Sequence, residues 1–553
     1  MKTRLSAFLS ILIVALALAA CGGSTYELDS TTTTGGNQTA PDAATGLAMP
    51  QSTMGLDDAE AADMAMEAPA EGMAPPVGIA PPSAARTQPQ QPVPTPADMT
   101  FNNPGTNPFF DTDDDNLSTF AMDVDTASYS LARNYLMSRE LLPPADAIRP
   151  EEFINYFDAN YDSPAGDDAF AIYLDAAPAP FGYDGHYLMR VGMQGRYIAP
   201  EDRTPVFLTF VIDVSGSMDI ESRLGLVKES LALLLDELRE DDRVAIVVYS
   251  DNSRVVLEPT AATDRADIDR AIDTLRPEGS TNVVDGLRLG YQLARENRAE
   301  GENTRVVVLS DGVANVGITE PGGMLEQIQS AVDEGITLST IGFGMGNFND
   351  VLMEQLANDG NGNYYYVDNI RQARRIFSHN LTGTLQVIGY DAKVQVEFNA
   401  EVTDRYRLIG YENRAIADED FRDDTVDAGE VGAGHSVTAL YELALEDGDP
   451  EGTIATVYIR YEDAETREVV ELSRAITTAE LLASIDEAPA TFRLHAAVAE
   501  FAELMRESVW AEDGSYGAVM ALLQNARTDL GDADEDLNEL IAMVEQAVRL
   551  GDQ

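Results

Sequence analysis

Residues 206–218 read Val-Phe-Leu-Thr-Phe-Val-Ile-Asp-Val-Ser-Gly-Ser-Met, an apolar run that ends in polar residues. A short and nearly uninterrupted apolar run is typical of a strand that is buried on both faces of a parallel sheet. The polar residues from Asp213 onward stand directly before a helical pattern at 222–239. In open α/β sheets, ligands bind beyond the carboxyl ends of the strands. This stretch therefore predicts an α/β fold with a ligand site after Ile212.

The centre of the chain repeats this alternation of apolar strands and amphipathic helices. Further strands are predicted at 244–249, 305–309, 337–343 and 364–367. Helical patterns fall between them, at 222–239, 265–275, 283–298, 323–334, 349–358 and 370–381. This order indicates a doubly wound, mainly parallel sheet with helices on both faces. We assign this domain to residues 201–385.

Two other loops of this domain carry polar residues at comparable places. Gly279-Ser280-Thr281-Asn282 opens a helix, and Ser310-Asp311-Gly312 follows the strand that ends at Leu309. Together with Asp213-Val214-Ser215-Gly216-Ser217, these loops resemble the metal-ion-dependent adhesion site of von Willebrand factor type A domains. The resemblance implies that the hydroxyl groups of Ser215, Ser217 and Thr281 bind a metal ion. It also implies that Asp213 and Asp311 bind the ion directly or through water.

Such a donor set suits a small, hard cation. Mg²⁺ prefers octahedral oxygen ligands and keeps some of its waters, and Mn²⁺ or Ca²⁺ are the alternatives. The resemblance further implies that the ion accepts a carboxylate from another molecule, which is the family's mode of adhesion. Ser and Asp are also common helix caps, so the first loop alone is a weak indication. The combination of three loops favours the metal site, while Asp219 and Asp251 on the same rim are expected to be solvated.

The segments on either side of this domain show strand-like alternation. Two runs precede it, at 169–175 and 187–194, and five follow it, at 392–398, 406–411, 437–445, 454–461 and 469–474. Alternating apolar and polar residues are typical of antiparallel strands with one buried face. We therefore predict a β-sandwich with the α/β domain inserted between its strands. The flanking regions are residues 116–200 and 386–478, and a helical region covers 479–553.

Longer stretches outside the metal loops resemble a family of bacterial lipoproteins. Its members have a short N-terminal region, a von Willebrand factor type A domain and a C-terminal domain of uncharacterised function. The stretches that carry this resemblance are 118–120, 125–129, 361–366, 406–414 and 432–435, and the match covers about residues 116–550.

The first residues are predicted to be a lipoprotein signal. Lys2 and Arg4 precede an apolar run that ends in Leu18-Ala19-Ala20-Cys21-Gly22. This pattern is that of a secretory signal and is too short for a stable membrane span. It resembles the bacterial lipobox, so residues 1–21 are assigned as signal peptide, with Cys21 as the lipidated residue. An ordinary cleaved signal is the alternative. Gly22 after the cysteine favours the outer membrane, and exposure to the periplasm or to the cell surface stays open.

Residues 22–115 are predicted to be a disordered tether between the lipid and the folded body. Thr, Gly, Ala, Pro, Met and Gln dominate this segment, and no apolar periodicity is present in most of it. Such a composition does not bury enough apolar surface to offset the entropy of ordering.

The composition of the 553-residue chain excludes several classes of function. Against 36 basic residues stand 95 acidic ones, giving a formal charge of −59. Because binding to a phosphate backbone requires clustered Lys and Arg, nucleic acid is excluded as a partner. Lys occurs only at positions 2, 228 and 393, and either a saline habitat or a GC-rich genome would explain this scarcity. The four histidines lack zinc-ligand spacing and no nucleophile elbow or phosphate-binding loop is present, so we expect no enzyme.

Two classes of function remain open at this point. The first is a membrane-anchored adhesion or protein-binding module that clamps a carboxylate of a partner through the metal ion. The second is a cell-envelope assembly or stress factor that uses the same site to organise other envelope proteins.

Overall fold

The computed structural model describes residues 101–551 except 167, 313–328, 333, 345–348 and 449. Of residues 221, 222, 329 and 332 it describes the backbone alone. The predicted signal peptide with Cys21, the tether up to residue 100 and most of the predicted helix at 323–334 lie outside the described residues. No helix among the described residues is long and apolar enough to cross a membrane.

The strands of the described part follow one another from residue 110 to residue 477. They are β1 Phe110–Asp111, β2 Leu117–Ala121, β3 Phe170–Pro178, β4 Tyr187–Gly195, β5 Val206–Asp213, β6 Arg243–Tyr249, β7 Ser253–Ala261, β8 Asn303–Ser310, β9 Thr337–Phe343, β10 Tyr364–Val367, β11 Val387–Phe398, β12 Thr403–Ile409, β13 Gly429–Gly432, β14 Ser436–Leu445, β15 Thr453–Asp463 and β16 Val469–Thr477.

The α-helices lie among and after these strands. They are α1 Ala127–Arg133, α2 Pro150–Ile154, α3 Arg223–Glu237, α4 Arg265–Thr274, α5 Val283–Asn297, α6 Gln329–Val332, α7 Asp350–Asp359, α8 Ile370–Arg374, α9 Leu381–Leu385, α10 Ala490–Met505, α11 Tyr516–Leu530 and α12 Glu535–Gly551.

The central sheet has the strand order β10-β9-β8-β5-β6-β7. Its strands are parallel except β7, which pairs antiparallel with β6 at the edge. One face packs on α3 and α4 through residues such as Leu231 and Ile268, and the other on α5 and α7 through Leu287 and Leu356. The predicted α/β architecture, a mainly parallel sheet with helices on both faces, is confirmed.

Two antiparallel sheets form the flanking sandwich. One has the order β1-β12-β14-β4-β3, and the other the order β13-β11-β15-β16 with β2 paired to β11. Strands from both sides of the α/β domain are therefore neighbours, since β4 pairs with β14 and β2 pairs with β11. The two sheets share one core that includes Phe120, Val191 and Val457. The α/β domain is thus inserted between strands of the sandwich, as predicted.

The structure differs from the prediction in its count of flanking strands. Among the described residues, four strands precede the α/β domain instead of two, and six follow it instead of five. β1 lies within the predicted tether, where Asn107 Nδ2 also donates to Gly410 O at 2.8 Å. Short strands such as β1 and β13 are stabilised by pairing with distant strands, so local periodicity does not reveal them.

Helices from both ends of the chain pack into a further core. α1 and α2 contact α10 and α12 through buried side chains that include Tyr129, Phe153, Phe501 and Val544. The N-terminal helices therefore connect the C-terminal helical region with the rest of the body.

The Arg133 guanidinium joins three parts of the structure at this junction. Its Nε donates to Asp368 Oδ2 at 2.9 Å, just after β10. Its Nη1 donates to Glu539 Oε1 at 2.9 Å, in α12. Arg133 is itself in α1 and is 3% exposed. Removal of one member of a buried ion pair leaves the other charge unpaired in the interior and is strongly destabilising.

We expect Arg133→Met to lower the free energy of unfolding by about 3–5 kcal/mol. Arg270→Met is the matched control, because it removes the same charge from a pair with Asp267 whose side chains are 71% and 61% exposed. Such exposed pairs contribute about 0–1 kcal/mol. Urea denaturation of both variants measures the difference, and equal midpoints would contradict a structural role for the Arg133 junction.

Candidate functional site

The first loop of the site begins at the carboxyl end of β5. Asp213 is fully buried there, and its Oδ1 accepts a hydrogen bond from the Ser215 backbone N–H at 2.8 Å. The Oγ atoms of Ser215 and Ser217 lie 3.0 Å apart. A tight helical turn, Gly216–Ser222, leads from these residues directly into α3. The turn places two hydroxyl groups beside one buried carboxylate.

The second loop reaches the first one through its backbone. Gly216 N donates to Gly279 O at 3.1 Å. Gly279 has φ +64°, and a Cβ atom there would come within 2.7 Å of the Asp251 carboxylate, so glycine is required. Asp251 in turn accepts the Ser280 backbone N–H at 3.0 Å. Thr281 follows Ser280 and is fully buried.

The third loop follows β8 and connects with the first. Ser310 Oγ donates to Asp213 Oδ2 at 2.9 Å. Asp311 is 1% exposed, and its Oδ2 accepts a hydrogen bond from Arg223 Nη1 at 2.6 Å. Within the described part of the chain, the buried Oδ1 atom of Asp311 has no hydrogen-bond partner. A buried acceptor without a partner is unfavourable and calls for an explanation, such as an ion.

The two carboxylates of the site repel each other. Burial, followed by the charge of Asp311, raises the pKa of Asp213 to about 7. The raised pKa means that the ionised form of Asp213 is energetically unfavourable in the folded protein. A cation between the two carboxylates would offset their repulsion and favour the ionised form.

The predicted ligands fit a divalent cation by two features of the site. The donor set consists of hydroxyl and carboxylate oxygens, as a hard ion prefers. The orphaned Asp311 Oδ1 supplies a free acceptor within the same site. Among the residues that the structure describes, no three His, Cys, Asp or Glu side chains cluster as a metal-binding group. Any metal here would therefore rely on the serine and threonine hydroxyls in addition to the two carboxylates.

Sequence reasoning missed Arg223 as part of this site, and it placed Ser310 in the third loop without giving it a role. Arg223 begins α3, where a cation is unfavourable for the helix dipole, so its position carries a weak signal of another role. Its pairing with Asp311 spans 88 residues and depends on the fold. Asp219 and Asp251 are exposed, as expected, but Asp251 also holds the second loop.

Three families match consecutive parts of the chain. Residues 95–190 match a family described as von Willebrand factor, and residues 208–379 match the von Willebrand factor type A domain. Residues 383–550 match the family described as uncharacterized protein YfbK, C-terminal. Domains of the von Willebrand factor A type often mediate protein interactions and commonly bind a divalent metal.

Relatives with similar sequences include a bacterial and a mammalian protein. The uncharacterized protein YfbK of Escherichia coli K12 is 35% identical over 480 residues, which cover 80% of this chain and 82% of that protein. Inter-alpha-trypsin inhibitor heavy chain H3 of Rattus norvegicus is 28% identical over 219 residues, which cover 38% of this chain and 23% of that protein.

Solved structures with a similar fold include a von Willebrand factor type A protein from Catenulispora acidiphila. It is 16% identical, with a TM-score of 0.39, and the match covers 72% of this chain and 89% of that one. The pilus adhesin SpaC from Lactobacillus rhamnosus GG is 14% identical, with a TM-score of 0.28, and the match covers 58% and 50%.

The match to YfbK extends over most of both chains and includes the sandwich as well as the α/β domain. This chain therefore belongs to the YfbK family and combines a von Willebrand factor type A domain with the YfbK C-terminal domain.

Proposed function

We propose that this protein is a lipid-anchored, protein-binding module of the cell envelope that captures a carboxylate of its partner through a divalent cation. The ligands are Ser215, Ser217, Thr281, Asp213 and Asp311, and Mg²⁺ is the preferred ion. The observation that carries the proposal is the buried Asp311 Oδ1, which lacks a hydrogen bond within the described residues. It belongs to the same site as a second buried carboxylate and a pair of serine hydroxyls.

Arg223 gives the proposed site its charge balance. Asp213 and Asp311 contribute two negative charges when ionised, and Arg223 contributes one positive charge, so the sum is −1. A divalent cation would bring the sum to +1 and supply an electrophilic centre for an outside carboxylate. Arg223 therefore favours binding of an acidic group over that of a neutral one.

A binding role is favoured over catalysis by the surroundings of three histidines. His186 Nδ1 is 2.8 Å from Glu442 Oε1, and His495 Nε2 is 3.1 Å from Phe157 O. His435 is partly buried, and desolvation lowers its pKa to about 4. We therefore propose no general base and no reaction for this protein.

We expect Mg²⁺ to stabilise the wild type and Thr281→Ala to lose most of this effect. An ion that binds only the folded state stabilises it by about 2.7 kcal/mol at a hundredfold excess over Kd. Thr281→Ala removes one proposed ligand without changing the net charge. Thermal unfolding in MgCl₂ and in EDTA measures the effect, with Mn²⁺ and Ca²⁺ as comparisons.

The matched control for this measurement is Thr209→Ala. Thr209 is a fully buried threonine of β5, and its hydroxyl has no hydrogen-bond partner among the described residues. This variant should keep the full response to Mg²⁺. Equal stabilisation of wild type and Thr281→Ala would mean that Mg²⁺ only screens the acidic surface, and the proposed site would be wrong.

We expect the purified protein to capture its partner from envelope extract in Mg²⁺ but not in EDTA. Thr281→Ala should capture at least about tenfold less, which corresponds to a loss of roughly 1.4 kcal/mol. A second extract, in which carboxyl groups have been amidated with carbodiimide and an amine, should yield no capture. Undiminished capture from the amidated extract would exclude a carboxylate as the bound group.

The proposed anchor is tested by Cys21→Ser. Wild type should sediment with membranes and incorporate labelled palmitate, because more than one buried acyl chain anchors a protein stably on a bilayer. Cys21→Ser should appear in the soluble fraction or remain unprocessed, whereas Ser24→Ala should behave as wild type. Recovery of the wild type in the soluble fraction with an unmodified N-terminus would rule out the anchor.

A further inference from the structure

A cavity of about 440 Å³ lies at the amino ends of the parallel strands, opposite to the three loops of the candidate metal site. Two of its walls are the segments by which the chain enters and leaves the α/β domain. Arg196 and Thr204 belong to the first segment, and Gln386 and Tyr390 to the second. The remaining wall includes the start of β8, which contributes Arg305. The cavity therefore lies at the junction between the α/β domain and the sandwich.

Arg305 is a buried cation without an ion-pair partner. It is 4% exposed, and its Nη1 donates to the neutral Ser339 Oγ at 2.6 Å. Within the described part of the chain, no carboxylate lies at ion-pair distance from it. The other buried arginines that the structure describes each pair with a carboxylate, namely Arg133, Arg149, Arg190, Arg203, Arg223, Arg407 and Arg493.

This exception is unexpected in a chain with 95 acidic residues. A buried charge is costly unless it is paired, and a guanidinium does not lose its proton in a protein. The fold places many carboxylates around other arginines but leaves this one facing a cavity. Arg305 therefore lacks the negative charge that the fold provides for the other buried arginines.

Glu430 is the carboxyl group of the protein whose charge acts on Arg305, but ionisation of this group is unfavourable. Burial, together with the charges of Asp427 and Asp391, raises the pKa of Glu430 well above its usual range. The charged form of Glu430 is thus disfavoured, and this side chain offers Arg305 little negative charge. The positive potential extends to His435, whose pKa is lowered to about 4 by burial and by Arg305.

The cavity wall offers further groups that suit a polar ligand. The Asn303 amide lines the cavity. Gln386 Oε1 accepts the Thr204 backbone N–H at 2.9 Å, and this bond joins the segments by which the chain enters and leaves the α/β domain. Arg196 is at the rim, 3.9 Å from the exposed Glu465 carboxylate. A volume of this size falls in the range of roughly 300–1,000 Å³ found for small-molecule sites.

We propose that this cavity binds a small ligand that carries a phosphate or carboxylate group, held by the Arg305 guanidinium at the junction of the two domains. A guanidinium donates two parallel hydrogen bonds to an oxyanion, so either group fits it. The site is separate from the metal loops and does not depend on them. Because both chain crossings line the cavity, a bound anion bridges the α/β domain and the sandwich and stabilises their contact.

The test uses detergent-solubilised full-length protein in EDTA, so that a carboxylate cannot act through a metal ion. Inorganic phosphate and succinate are the probes, and NaCl at equal ionic strength is the control for screening. At least one probe should raise the unfolding temperature more than NaCl does, and calorimetric titration should give its Kd. A response to phosphate alone or to succinate alone identifies the class of ligand.

Arg305→Met should weaken binding of that probe by about tenfold or more, as expected for the loss of a charge-assisted hydrogen bond. Arg305→Lys keeps the charge but not the paired donors and should weaken it less. Arg270→Met, which removes an exposed charge, should bind as wild type. Without anion, Arg305→Met should unfold at no lower temperature than wild type, since it removes an uncompensated buried charge.

Three outcomes would overturn the proposal. The first is a response to phosphate and succinate that does not exceed the response to NaCl. The second is binding by Arg305→Met that is as tight as binding by wild type. The third is a large loss of stability in both Arg305→Met and Arg305→Lys without anion, because it would show that Arg305 is already paired within the protein.

Discussion

The polarity of the parallel sheet is the constraint on which the other features of this protein depend. Because β5, β8 and β9 run in the same direction, all their carboxyl ends meet at one edge and all their amino ends at the other. The first edge carries the loops of Asp213 and Asp311. The second edge carries both chain crossings to the sandwich and the cavity with Arg305. One end of the sheet thus carries the candidate metal site, while the other end is joined to the sandwich.

The insertion of the α/β domain is stabilised by elements on both sides of it. β4 and β14 come from opposite sides of the insert and pair over eight residues, so the sandwich closes only when both flanks are in place. The edge strand β10 is covered by α1, and Asp125 Oδ1 accepts the Tyr364 backbone N–H at 3.0 Å. An open edge strand invites pairing with other chains, and this cover prevents it. The N-terminal helices therefore protect the sheet as well as connecting it with the C-terminal helices.

Buried arginines organise a chain that is otherwise strongly acidic. Arg133 joins α1, the end of β10 and α12, while Arg223 partly neutralises the candidate metal site. The planar guanidinium bonds several acceptors at once, which lysine does not do with the same geometry. The scarcity of lysine in the sequence agrees with this use of arginine in the interior. Arg305 differs from these residues because the fold provides a cavity where the others have a carboxylate.

The sequence by itself determined the alternation of strands and helices, the insertion in a sandwich and the three loops with their polar residues. These features are local, since apolar periodicity reports which faces are buried and a loop motif lies within a few residues. Only the tertiary structure decided that β1 and β2 complete the sandwich, that Arg223 pairs with Asp311 and that Arg305 faces a cavity. Each of these features depends on residues that are far apart in the chain. The local sequence around one residue does not show which distant residue the fold places beside it. Whether a buried charge is paired therefore depends on tertiary contacts, and the local sequence does not predict them.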